Sequence, residues 1–157
     1  SDYMEVSDDT GSLYVDVPSG WTDIDGRSWV IDDVDVGPGL TASPDLDGYY
    51  STWSTPGLFF GASTELITYT TEDALLDQFS FEGLCDSSER DFYDDGLYTG
   101  VWEFYENCGG EGTSFVNVAA VDFDRTFMML VQMQVVTDAD LEALDQALAT
   151  FVAIMDF

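Results

Sequence analysis

The chain has 157 residues and a formal net charge of −29, with 32 acidic residues against three arginines and neither lysine nor histidine. Such a surface repels phosphate backbones and anionic membranes, because binding there draws on Lys/Arg neutralisation and counterion release, so nucleic-acid and membrane-surface partners are excluded. Hydrophobic residues at 45% and aromatics at 15% are too many for a disordered acidic tail, and the length gives volume for one properly filled core.

Three explanations of the acidity compete. Hydrated carboxylates keep a protein soluble in high salt, where screening relieves their repulsion. An extracellular domain can be acidic without a special ligand, and a cation or a basic partner can be the target of the charge.

In chain order, residues 1–11 are polar and acidic and read as an arm or linker, leaving 12–157 as a single α+β domain. Leu13, Val15 and Val17 alternate with Tyr14 and Asp16, the period of a half-buried strand. Pro18-Ser19-Gly20 turns the chain towards Trp21. Trp29 to Ile31 and Leu40 to Ala42 are short strand candidates. Ser43-Pro44 predicts a helix N-cap with proline at the first position, running to about Trp53. Gly57 to Ala62 (GLFFGA) reads as a buried strand. Thr70-Thr71-Glu72-Asp73 carries a capping signature, and Leu75, Leu76 and Phe79 supply that helix with an apolar stripe.

The second half predicts a meander. Leu97 to Cys108, Thr113 to Asp122 and Thr126 to Val136 are strands joined by short turns, hence antiparallel. Phe127 to Val131 is apolar on both faces, which suits a central strand covered on both sides. Thr137 with Asp140 completes a capping box for a last helix, whose apolar face is Leu141, Leu144, Leu148, Phe151, Val152 and Met155. The expected fold is α+β, an antiparallel sheet with helices packed on it.

Cys85 and Cys108 are the only cysteines. A lone pair reads as one disulfide in an oxidising compartment, extracellular or cell envelope; two buried thiols in a cytosolic protein are the alternative. No apolar run approaches transmembrane length, so no membrane insertion is expected, and with no signal peptide at the N-terminus an exported chain is read here as its mature part.

Without histidine or lysine there is no Ser-His-Asp or Cys-His arrangement and no Schiff base. Nor do two cysteines in a disulfide supply a zinc site. Carboxylate chemistry is what is left. Asp9-Thr10-Gly11-Ser12 spells the aspartic-protease signature. Its flank, however, is polar, and no second copy is present to share a proton, so a turn is expected there. A glycosidase pair can be drawn between any two of so many acids and carries no specificity. The chain is expected not to be an enzyme.

Calcium is the one cofactor with a sequence rationale. Asp23-x-Asp25-Gly26, Asp32-Asp33-x-Asp35 and Asp45-x-Asp47-Gly48 place alternate oxygen ligands near turns, with Asp23, Asp25, Asp45 and Asp47 the candidates. None continues to the bidentate glutamate of an EF-hand, and solvated loops are the default. Trp21, Trp29, Trp53, Trp102, Phe104 and Tyr105 are groove candidates for a peptide or glycan. Core packing competes for each, as it does for Met128, Met129 and Met133. Trp102 and Phe104 share one strand face, suited to packing under a helix.

The order of strand, Val17-Pro18-Ser19-Gly20-Trp21, helix, meander and C-terminal helix resembles the PsbP-like fold. Several strings resemble the non-catalytic C-terminal domain of secreted bacterial trypsin-like or HtrA-like serine proteases. They are Val6-Ser7-Asp8-Asp9-Thr10-Gly11, Val15-Asp16-Val17-Pro18, Gly20-Trp21-Thr22-Asp23, Ser43-Pro44-Asp45-Leu46, Leu97-Tyr98-Thr99-Gly100 and Thr113-Ser114-Phe115-Val116-Asn117-Val118-Ala119-Ala120. The resemblance implies a non-catalytic appendage and transfers no catalytic residue; the histidines and basic residues of photosystem members are absent. The resulting expectation is an extracellular accessory or binding domain of a larger secreted protein, which recognises a protein or peptide partner or serves as a folded spacer. A stand-alone salt-adapted or calcium-stabilised envelope protein is the alternative, and a carboxylate hydrolase the distant one.

Overall fold

The structure, a computed structural model, describes residues 2–155. Among them the strands are β1 (Tyr3–Ser7), β2 (Leu13–Pro18), β3 (Asp23–Asp25), β4 (Trp29–Ile31), β5 (Val34–Gly37), β6 (Gly39–Ser43), β7 (Gly57–Ser63), β8 (Ser87–Asp94), β9 (Thr99–Cys108), β10 (Thr113–Val121), β11 (Met128–Val135) and β12 (Val152–Ala153). The helices are α1 (Leu46–Ser51), α2 (Glu72–Gln78) and α3 (Asp138–Thr150). The fold is mixed α+β and dominated by antiparallel sheet.

The main sheet runs β3-β6-β7-β11-β10-β9-β8. β11 lies at its middle, as the doubly apolar run Phe127 to Val131 requires. The predicted meander β9–β10–β11 is present, with Val118 facing both Trp102 and Val131. On one face of the sheet Leu58, Phe60, Met129, Val131, Val116 and Val118 form the principal core. It is closed by α3 and by a small second sheet, β1-β2-β12. On the other face α2 and the β4–β5 hairpin cover Met128, Leu130, Ala119 and Val121.

Several elements differ from expectation. Residues 3–7, in the segment read as an arm or linker, form β1, whose five residues pair with β2 and bury Val6; Ser1 lies outside the described residues. Ser43 ends β6 rather than capping α1. Its hydroxyl donates to the Asp45 and Pro56 carbonyls, and the helix starts at Leu46 with Asp45 as N-cap. Ser51 is its last residue, because Thr52 is extended. α3 stops at Thr150, although helical spacing continues. Phe151 turns extended and packs on Phe60 and Tyr98, each at 5.4 Å between ring centroids, while Val152 pairs with Tyr14 of β2. The aromatic contact and the new ladder outweigh local helix propensity. Leu141, expected on the buried stripe, is exposed.

The other helix starts are as read. The Thr71 hydroxyl accepts from the Ala74 amide. Asp140, itself buried, accepts from the Val136 and Thr137 amides at 2.9 and 2.8 Å. Two of the three arginines hold α2 down: Arg125 pairs with Glu72, and Arg90 pairs with Asp73, Asp77 and Glu103. Cys85 and Cys108 are joined in a disulfide. It clamps the open end of the β8–β9 hairpin inside a cluster of Trp53, Phe81, Tyr105 and Phe115. Among the described residues no helix is long and apolar enough to cross a membrane.

Candidate functional site

The cover on the α2 face is incomplete. Where α2 ends, the residues on that face of the sheet change from Leu130 and Ala119 to Gln132 and Asn117, and the face opens into a trough. One part, about 620 Å³, lies between Trp29, Phe59, Phe79 and Tyr49. A second part, about 350 Å³, continues past Tyr50 and Gln132 to Trp53, Phe81 and Phe115.

β7 explains how the rings fit. Successive residues of a strand point to opposite faces, so Leu58 and Phe60 enter the core while Gly57, Phe59 and Gly61 face the trough. A methyl group added at Gly57 would lie 2.4 Å from the Tyr49 ring, and one at Gly61 would lie 2.5 Å from the Trp29 ring. The glycines let these two rings rest directly on the strand, on either side of Phe59. Trp29 then packs edge-on to Phe59 at 5.6 Å and tilts against Phe79 at 6.4 Å.

The polar groups of the trough are few and well placed. Thr41 is 7% exposed and Tyr49 9% exposed, and neither hydroxyl has a hydrogen-bond partner among the described residues. Among the described residues no fully enclosed side-chain polar atom lacks a partner, so both oxygens keep some exposure, and both residues line the trough. Burial first, and then neighbouring Tyr50, pushes the Tyr49 phenol above its ordinary value. Gln132 donates to the Asn117 carbonyl oxygen at 3.0 Å, and Asn117 donates to the Phe79 backbone at 3.0 Å. Gln134 donates to the Thr52 and Thr55 carbonyls and anchors the loop after α1. At the rim Asp25 accepts three bonds from the Arg27 guanidinium at 2.7–3.1 Å. The bonded guanidinium holds Asp25 below the usual carboxylate range, and the bonded carboxylate raises Arg27.

The calcium candidates do not converge. Asp25 is taken by Arg27, Asp23 accepts the Leu46 amide at 2.8 Å as a remote cap for α1, and Asp45 and Asp47 begin that helix. Asp32 and Asp33 form the β4–β5 turn with φ of 50° and 67°, and Asp35 accepts the Gly37 amide. Among the described residues no group of three or more Asp, Glu or Cys side chains is placed to hold a metal. The Asp-Thr-Gly string lies in a turn organised by its neighbour. Asp8, not Asp9, is buried, and it accepts the Ser12 and Leu13 amides at 2.8 Å together with the Thr10 amide and hydroxyl. The other buried carboxylates are equally partnered. Glu103 receives Arg90 at 2.9 Å and the Tyr105 hydroxyl at 2.7 Å, and Asp140 receives the two amides of its cap.

No family model and no curated protein matches the chain. The trough is therefore read from its own chemistry. Of the aromatic candidates, Trp29 and Trp53 line it. Trp21 is in the principal core, and Trp102 and Phe104 pack against that core on the face of the sheet away from the trough. Tyr105 belongs to the disulfide cluster. Tyr49, Tyr50, Phe59, Thr41 and Gln132 were not singled out by sequence reading, and Phe79 was read only as part of the apolar stripe of α2. The local signal that could have found them is Gly57-x-Phe59-x-Gly61, alternate glycines on one strand face that leave room for rings from elsewhere.

Proposed function

We propose that this chain is a non-catalytic binding domain, extracellular or in the cell envelope and accessory to a larger secreted protein such as a serine protease. Its trough takes an extended peptide. The observation that carries the reading is the pair Thr41 and Tyr49, residues more than nine-tenths buried that line an aromatic channel and whose hydroxyls have no hydrogen-bond partner among the described residues. Pockets of this kind, apolar with a few converging polar groups, are built for ligands. A peptide suits it better than a glycan. Trp29 is 4% exposed and edge-packed, so it offers a slot for a side chain rather than a broad ring face for a sugar, while peptide amides can bond both hydroxyls.

The non-catalytic part is supported by the absence of histidine and lysine and by the partnering of each buried acid with amides, a hydroxyl or an arginine rather than with another acid. The antiparallel meander with packed helices supports a PsbP-like sandwich, and the disulfide supports an oxidising compartment.

Selection of a randomised peptide library on the immobilised protein, followed by fluorescence titration, tests the proposal. Selected peptides should bind the Thr41→Val, Tyr49→Phe double variant at least about tenfold more weakly, the worth of two modest hydrogen bonds. Peptides that bind both forms equally would remove the trough from the reading.

A second reading, salt adaptation, is favoured by the arginines. All three are held in ion pairs, which leaves most carboxylates unopposed. Stability should then rise with ionic strength over the first few hundred millimolar, and a flat response would retire this reading.

A further inference from the structure

The opposite face of the sheet carries its own opening. α3 packs on β2 and β11 and leaves the outer strands partly uncovered. Between them lies a cleft of about 240 Å³, walled by Leu144 and Leu148 on the helix and by Trp102, Phe104, Val116 and Val118 on the sheet. Tyr93 closes one end, its hydroxyl turned to Asp95 at 2.6 Å. The lining is apolar, but the rim is not. Register sets Glu89 opposite Phe104 and Asp91 opposite Trp102, and cross-strand partners share a face. Both acids are exposed and neither is in an ion pair among the described residues. On the helix side Asp145, also exposed, lies on one stripe with Leu141 and Leu148.

We propose that this cleft docks a partner segment that presents one bulky apolar side chain flanked by lysine or arginine. The apolar walls desolvate the side chain. The acids on both lips receive the cations, with the ring of Trp102 available to one of them. A second copy of this chain does not fit: it carries the same charge of −29, has no lysine, and commits its three arginines to internal pairs. A neutral apolar molecule would leave the rim unused. The proposal is independent of the trough, which lies on the other face.

The test uses three short synthetic peptides: phenylalanine flanked by lysines, the same peptide with glutamates for lysines, and the lysine peptide with serine for phenylalanine. Binding is followed by NMR of the full chain. The first peptide should shift the Trp102 indole and the Leu144 and Leu148 amides while leaving Trp29 unmoved. The Glu89→Gln, Asp91→Asn, Asp145→Asn variant should bind it at least about tenfold more weakly. Neutralising Asp32, Asp33 and Asp35 to Asn, an equal charge change at a distant turn, should alter affinity less than about twofold. Equal loss in both variants would reduce the effect to diffuse attraction. Equal binding of the serine or glutamate peptide, shifts centred elsewhere, or no binding at all would each overturn the proposal.

Discussion

The two faces of the main sheet come from the same strands and have different fates. On the α3 face Leu58, Phe60, Val131 and Val118 are 0–2% exposed, and a helix and a second sheet close over them. On the α2 face Met128 and Leu130 are equally buried, but two residues further on the strand presents Gln132 and then Gln134. Cover stops where the side chains stop being apolar. An amide on a sheet face must find a partner if it is buried. Gln132 and Gln134 find theirs in Asn117 and in loop carbonyls, leaving the space above unfilled. The α3 face is closed over its centre and open only beside its outer strands, whereas the α2 face is open where its amides lie.

Neighbouring residues of β7 test that contrast most directly. Phe60→Ala, fully buried on the covered face, should cost about 3–5 kcal/mol in chemical denaturation. Phe59→Ala, on the open face, should cost clearly less while altering the trough; equal costs would mean that the faces do not differ as described. Replacing Cys85 and Cys108 by Ala should cost about 3 kcal/mol, the chain-entropy value for a loop of this length. Mass analysis of the native protein should find no alkylatable thiol.

Asp8→Asn comes next. Hydrogen bonds to a charged group are worth about 1.5–3 kcal/mol, and this carboxylate organises the β1–β2 turn. Burial raises its pKa, but the Thr10 hydroxyl and the amides of Leu13, Thr10 and Ser12 outweigh burial and leave it below the ordinary 3.8. A carboxyl lowered by folding stabilises fully above its unfolded value and loses that contribution as pH falls through the folded one. The gap between wild type and variant should therefore be whole at pH 7 and shrink below pH 3.8. A gap that grows on acidification would reverse the assignment. Arg125→Gln should cost the least, about 0–1 kcal/mol, because its side chain is 53% exposed in its pair with Glu72.

The parts of the fold legible in the sequence are those where alternation or a cap left a local mark: β2, the β9–β11 meander, and the starts of α2 and α3. β8 left none. Ser87–Asp94 is an edge strand, exposed for most of its length, so no face is selected for apolar residues and polar composition hides it. β1 was obscured in the same way by Glu5 and by the flanking Asp2, Asp8 and Asp9. Phe151 and Val152 kept the helical spacing and misled, since their contacts to Phe60 and Tyr14 are far away in sequence. The trough was hidden for a related reason: its walls arrive from β4, α1, β7 and the end of α2, and only the glycines of β7 hint locally that rings will lie there.

Whether Thr41 and Tyr49 keep their hydroxyls for something outside the protein can be tested without knowing the ligand. Thermal and denaturant unfolding of the Thr41→Val, Tyr49→Phe variant should match or slightly exceed wild type, because an oxygen with no internal partner contributes no folded-state hydrogen bond. A loss of more than about 1 kcal/mol, the usual worth of an intramolecular hydrogen bond, would mean that the hydroxyls are already satisfied within the protein and that the trough is not waiting for a ligand.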